Sequence, residues 1–418
     1  MVFKKEAKDL MRFFFDRFDN YSKKKTAVQQ RETDDILSTL YEDIRVSERF
    51  VNVMLENNKV NIGKGAIRNL PKSKLISSNF VPESTMKTIK NAKIYITVNC
   101  KIYDKNIKIY IIPFDEKTET SNYKSFIKHV LIIIRMLMVY SNSSDGSLTV
   151  YLYLTKDKKV LPKNPLCILG PNNCNTAVTT ACDNNGEILI YREEECIKVL
   201  IHEIFHNFCL DMNGFNYNSL KNNIVNLFEI KSDMEISETY SEFWATIINC
   251  LLSSYYMLDD PCDRESFLLY SEFCLEFEKS FSIYQTIKIL DFMGLTYNEI
   301  ISNTEDNKSL KSVLYREKTN VFTYYVLKLV LLCNYDLFLK WCQQNNSILL
   351  KFRKTPQTLK SFYNFLRDKY KDKVLLKDLN NKNGVLQLYT GLKKGHKFPY
   401  KEKIQKTTRM TVIELKLI

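Results

Sequence analysis

Histidine is scarce in this chain, with four in 418 residues. Glycine, proline and tryptophan are also few, at 10, 9 and 2. No CxxC pair occurs among the eleven cysteines, which excludes a paired-thiol zinc ribbon. No apolar run reaches membrane-spanning length. The nearest, "VLIIIRMLMVY" at 130–140, is short and carries Arg135 in its middle. The opening "MVFKKEAKDLMRFFFDRF" alternates charge with aromatics and lacks the uninterrupted apolar core of a signal peptide. The cysteines therefore read as reduced thiols in a cytoplasmic setting, most of them packed in the core. No zinc-finger spacing, aromatic RNA-binding signature or P-loop is present.

What is present is a globular composition. Hydrophobic residues make up 45% and charged residues 26%, and Phe, Tyr, Ile and Leu are abundant, which excludes a disordered chain. The net charge of +13 favours acidic partners, although the charge is spread over the whole sequence. One denser run, Lys393 to Arg409, holds seven basic residues and the single acid Glu402. It reads as a basic tail able to make weak contact with nucleic acid.

Hydrophobic periodicity gives an α+β reading: a small mixed sheet and a motif-bearing helix in the N-terminal half, then a mostly helical C-terminal half. Residues 1–90 form a helical N-terminal region with a Gly/Pro loop from 63 to 82. Residues 91–214 form an α+β unit with a hairpin over 93–114, a helix over 123–140, and strands over 147–155 and 186–191. Residues 215–372 form a helical unit with helices over 219–230, 233–257, 264–280, 283–302, 321–343 and 355–372. Residues 373–418 are the basic tail. The motif helix is expected to begin near Arg192 and end at Asn213–Gly214, where glycine can supply a left-handed cap.

That helix carries "VLIHEIFH" (199–206), which concentrates half of the histidines in one turn. Residues four apart share a helix face, so His202 and His206 can point at one atom. Neutral imidazole is a good zinc ligand. Glu203 projects beside such an ion and can accept a proton from metal-bound water as general base. A catalytic site also needs a third protein ligand. "EISETYSEFWATIINCLL" (235–252) offers Glu238, with Glu242 one turn on to orient a histidine ring. Glu235 is the rival ligand. Cys209, three residues past His206, reads as a packed side chain.

HExxH followed on a later helix by glutamate, with a second acid four residues on, resembles the gluzincin branch of the zincin metallopeptidases. The run "GEILIYREEECIKVLIHEIFHNFCLD", flanked by "NTAVTTA" and "SETYSEFWATIINC", is also similar to predicted metallopeptidases of large nucleocytoplasmic DNA viruses, in keeping with a Lys-, Asn- and Ile-rich composition. The resemblance implies a zincin-like fold, Zn²⁺ held by His202, His206 and Glu238, Glu203 as base, Glu242 behind a ligand, and a location in host cytoplasm or virion. It also implies an edge strand that pairs with extended substrate, at 177–181 or 186–191. The 31 residues between His206 and Glu238 form a longer gap than the thermolysin-like pattern has. Tyr240, Tyr255, Tyr324 and Tyr325 all stand open as the oxyanion donor.

The expected function is zinc-dependent hydrolysis of a peptide or protein substrate. The alternative is a non-catalytic zinc-containing structural or nucleic-acid-associated protein. A hydrolase acting on a non-peptide amide is a third reading.

Overall fold

The computed structural model describes residues 3–15, 26–114, 119–141, 145–381, 384–395 and 400–417. Helices α1 (Lys5–Phe15) and α2 (Ala27–Glu56) come first. Thr26 starts α2 with a capping box: its hydroxyl accepts from Gln29 N, and the Gln29 side chain accepts from Thr26 N. Ile36, Leu40, Ile44, Val51 and Met54 make the buried stripe of α2, at helical spacing.

A six-stranded sheet forms the centre of the N-terminal half. Its strands are β1 (Asn61–Ala66), β2 (Ile94–Ile102), β3 (Lys105–Ile112), β4 (Ser147–Tyr153), β5 (Ala177–Thr179) and β6 (Asn185–Ile190). Their spatial order is β1-β2-β3-β4-β6-β5. β3, β4 and β6 run parallel, while β1–β2, β2–β3 and β5–β6 are antiparallel. β5 is thus an antiparallel edge strand. By sequence 61–66 reads as loop, because Gly63 and Gly65 break the apolar pattern. The strand needs Gly65, where a Cβ would lie 2.5 Å from the cross-strand Tyr95 ring, and is tight at Gly63, where one would lie 3.2 Å from Thr97.

Alternation along the strands divides two cores. Ile107, Ile109, Val150, Leu152, Ile188 and Ile190 face the main helical core. Tyr110, Ile112, Tyr151, Tyr153 and Leu189 face a smaller one, covered by the segment from Ile67 to Ala92, which includes α3 (Glu83–Ile89). α4 (Lys124–Met138) makes the crossover between β3 and β4 and is buried on nearly every side. A short turn, α5 (Pro171–Cys174), leads into β5, and α6 (Cys196–Asn207) follows β6. α7 (Asn218–Phe228), α8 (Ser237–Tyr255) and α9 (Arg264–Phe292) come next. α9 runs unbroken through 280–283, where the periodicity implies a break. Further helices carry the chain to Lys406.

The C-terminal stretch differs most from expectation. Residues 407–417 form an extended arm threaded into the main core, with Arg409 fully buried. Arg409 Nη2 donates to Glu414 at 2.6 Å. Met410 N and Thr411 N donate to Glu195 Oε1 at 2.7 and 2.6 Å, and Val412 N and Ile413 N both donate to Glu278 Oε1 at 2.8 Å. Lys328 Nζ donates to Met410 O at 3.0 Å. Single antiparallel bridges, Thr407 with Val160 and Leu415 with Phe3, hold the ends of the arm, and side chains satisfy the buried backbone between them. Elsewhere in the basic run, Lys393 pairs with Asp291, Lys403 with Glu6 and Lys406 with Glu402, while Lys397 lies outside the described residues.

The expectation of reduced thiols needs a second correction. Cys182 and Cys209 form a disulfide, because the turn after β5 packs on the end of α6 and brings their Cα atoms to 4.5 Å. Cys209 is therefore a bridge residue and not merely a small packed side chain. The remaining nine cysteines are free, and six of them are buried. Among the described residues no single helix is long and apolar enough to cross a membrane.

Candidate metal centre

α6 packs between the sheet and α8. Leu200, Ile201, Ile204 and Phe205 are fully buried in the main core, and His202 and His206 face α8. The helix is shorter than the sequence implied. Phe208 caps it, and Cys209, at φ 58°, supplies the left-handed residue that ends it; Gly214, at φ 77°, lies five residues further on. Leu210 N donates back to Phe205 O at 2.9 Å, closing a Schellman-type end. This early stop turns Asp211 back against the helix.

His202 Nε2 and His206 Nε2 lie 3.0 Å apart. Glu238 Oε2, from the first turn of α8, lies 2.9 Å from the former and 3.3 Å from the latter. α7 and its flanking loops bridge the long gap in sequence and deliver α8 to this position. Glu235, the rival, is half-exposed and bonded to Tyr217, away from the cluster. Cys209 is committed to its bridge.

Both rings have a carboxylate behind them. Asp211 Oδ2 accepts from His206 Nδ1 and also from Ser241 Oγ at 3.2 Å and Asn213 Nδ2 at 2.8 Å. Glu242 Oε2 lies 3.4 Å from His202 Nδ1 and forms a buried ion pair with Lys198. Glu242 is legible from its spacing to Glu238, whereas Asp211 and Lys198 are not legible in the sequence. Asp211 lies just past the helix end in sequence, where only the cap geometry reveals its aim. Lys198 is one helical turn before His202, a position that in sequence reads as surface.

Burial opposes charge on His202, but hydrogen bonds to Glu238 and Glu242 outweigh it and raise the imidazole pKa. Burial likewise opposes charge on His206, and Glu238 and Asp211 carry it well above the usual value. Burial would lift Glu238, yet His206 and His202 hold it well below the usual carboxylate range. Burial would also lift Glu242, and Lys198 holds it down. Glu203 differs: burial pushes its carboxyl up, against the pull of His202 and His206. Three buried carboxylates and the partly buried Glu238 therefore surround two imidazoles, with Lys198 the one cation in direct contact among the described residues.

Glu203 lines a narrow cavity with His202, Ala177 and Tyr324. Of the four tyrosines left open, only Tyr324 reaches it. Its ring centre lies 6.2 Å from that of His202. Tyr240 donates to Leu350 O, Tyr255 to Glu48 and Tyr325 to Thr408 O, all elsewhere. Tyr324 sits on a π-helical turn, Phe322–Leu327, an irregularity that re-aims side chains and is frequent at functional sites. No protein-family model, no curated protein and no solved structure matches the chain.

Proposed function

We propose that the chain is a zinc-dependent peptidase of zincin-like architecture. The convergence of His202 Nε2, His206 Nε2 and Glu238 Oε2, with Glu203 beside them, carries this reading. Tetrahedral ligands at about 2.0–2.1 Å from an ion lie about 3.3 Å from one another, close to the separations found here. Two imidazole nitrogens facing each other at 3.0 Å can both turn their lone pairs to one cation, and the surrounding excess of carboxylates suits a divalent ion. An antiparallel edge strand leading towards the HExxH helix supports the zincin comparison.

A zinc ion held by these three residues supplies a water acidified towards neutral pH and a Lewis acid for the carbonyl. Asp211 fixes the His206 ring through Nδ1, and Glu242 stands 3.4 Å behind His202 Nδ1, close enough to favour a proton on that nitrogen, so that both Nε2 lone pairs face inward. Glu203, with its raised pKa, takes a proton from the attacking water and returns it to the departing amine. The Tyr324 hydroxyl is the donor for the carbonyl oxygen as charge builds on it. β5 offers its open edge to an extended peptide through backbone hydrogen bonds.

The test is metal analysis of purified protein together with peptide-library cleavage, wild type against Glu203→Gln. Stoichiometric zinc in both and cleavage by wild type alone are expected. Equal cleavage by the variant would remove Glu203 as base, and absence of zinc from both would remove the reading.

The alternative, a non-catalytic zinc-containing structural or nucleic-acid-associated protein, rests on the +13 charge and the basic run. It calls for salt-dependent nucleic-acid binding without cleavage. Four residues of that run are engaged in ion pairs within the chain, which leaves less of it to meet phosphates.

A further inference from the structure

We propose that the Cys182–Cys209 bridge is an exchange site for small anionic thiols of the glutathione class, attacked at Cys182. The inference is independent of the metal reading. The bridge joins the turn between β5 and β6 to the end of α6, and its two sulfurs are in unlike surroundings. Cys182 is exposed and Cys209 only partly so. Lys354 Nζ lies 2.8 Å from Cys209 Sγ but 4.0 Å from Cys182 Sγ. An incoming thiolate therefore finds Cys182 Sγ open. The sulfur it expels leaves beside an ammonium, the arrangement that favours a departing thiolate.

A cavity of 410 Å³ opens onto both sulfurs. This lies within the usual range for small-ligand pockets, about 300–1,000 Å³. Its walls carry Lys105, Lys351 and Lys354 against the single acid Asp183. Lys105 is held by the Asp145 and Asn184 carbonyls. Lys351 has no ion-pair partner among the described residues and is available to a carboxylate of the incoming molecule.

The step conserves atoms and electrons. The small thiol gives its proton to solvent, and its sulfur forms a bond to Cys182 Sγ. The Cys182–Cys209 bond breaks, and Cys209 Sγ leaves with the electron pair beside Lys354, then takes a proton from solvent. One disulfide is exchanged for another, with no net oxidation. Afterwards the turn at 180–184 is held to α6 by its hydrogen bonds alone: Cys182 N to His206 O, and Asn207 Nδ2 to Thr180 O.

The experiment treats full-length native protein with reduced glutathione, 2-mercaptoethanol or cysteamine at equal thiolate concentrations, followed by acid quench and peptide mass mapping. Reduced thiols can add only at a disulfide, so the free cysteines stay silent. The expected result is a mixed disulfide on Cys182 with Cys209 free, forming fastest with anionic glutathione and slowest with cationic cysteamine. Lys351→Gln should cut the glutathione rate roughly threefold and spare 2-mercaptoethanol, as expected for loss of one solvent-screened charge. Lys354→Gln should slow all three thiols. Adducts on Cys209, equal rates for the three thiols, or two free thiols at 182 and 209 in untreated protein would each overturn the proposal. The thiol series on wild type needs no variant, so a folding defect in either substitution leaves the test intact.

Discussion

Asp211 stands five positions beyond His206, outside its helix, and accepts a hydrogen bond from that histidine's Nδ1. The contact exists because α6 stops at Asn207 and the chain reverses through Cys209. It fixes which ring nitrogen is left to face Glu238. Asp211→Asn keeps the size of the side chain and removes its charge. Zinc affinity, read by chelator competition, should fall about 10–100-fold while the fold is retained. An unchanged affinity would mean that Asp211 does not position His206.

Tyr324→Phe removes one hydroxyl from the cavity beside Glu203 and leaves the ring in place. The expected outcome in steady-state kinetics is a roughly 100-fold fall in kcat with little change in KM, the mark of a contact made only in the transition state. A change confined to KM would make Tyr324 a substrate-binding residue instead.

His129 should dominate part of the acid limb of stability. Its Nδ1 donates to Ser125 O at 2.7 Å, and its ring packs on Tyr256. Burial holds its pKa at about 4, against 6.5 for the free side chain. Between those values the unfolded chain binds a proton that the folded chain refuses. Stability is then complete above pH 6.5 and declines as pH falls towards 4. His129→Leu should narrow the stability difference between about pH 7 and about pH 5 by about 2 kcal/mol, measured by urea unfolding. An unaltered slope would mean that His129 is not held neutral.

Glu195 joins the C-terminal arm to the start of α6. It is fully buried, pairs with Lys159 and accepts from two backbone amides of the arm. Glu195→Gln leaves the Lys159 ammonium buried without its partner and should cost about 3–5 kcal/mol in urea unfolding. Glu402→Gln, at an exposed pair within the same basic run, should leave the unfolding midpoint where it is. Equal effects at the two sites would deny the arm its structural role.

Much of the secondary structure was legible because it follows local periodicity. The hairpin at 93–114, the helix at 123–140 and the strand at 147–155 emerge within a few residues of expectation. β1 was hidden because Gly65 suits a close crossing by Tyr95 and Gly63 lies against Thr97, and nothing local announces either contact. The arm at 407–417 was hidden for a related reason. Arg409 reads as surface, and burial of the arm depends on Glu195 and Glu278 arriving from elsewhere to hold its backbone amides, with Glu414 of the arm itself pairing with Arg409.

The candidate centre divides the same way. Four-residue spacing on a helix puts His202 with His206, and Glu238 with Glu242, whatever the rest of the chain does, since 3.6 residues per turn is a property of the backbone. Sequence alone could therefore supply both pairs. Which carboxylate of α8 meets the imidazoles, which acid stands behind His206, which of four tyrosines shares their cavity and which two of eleven cysteines join were all decided in three dimensions. These choices join residues far apart in the chain, or beyond a helix end, and are set by how helices end and pack against the sheet. Local spacing carries no record of that packing.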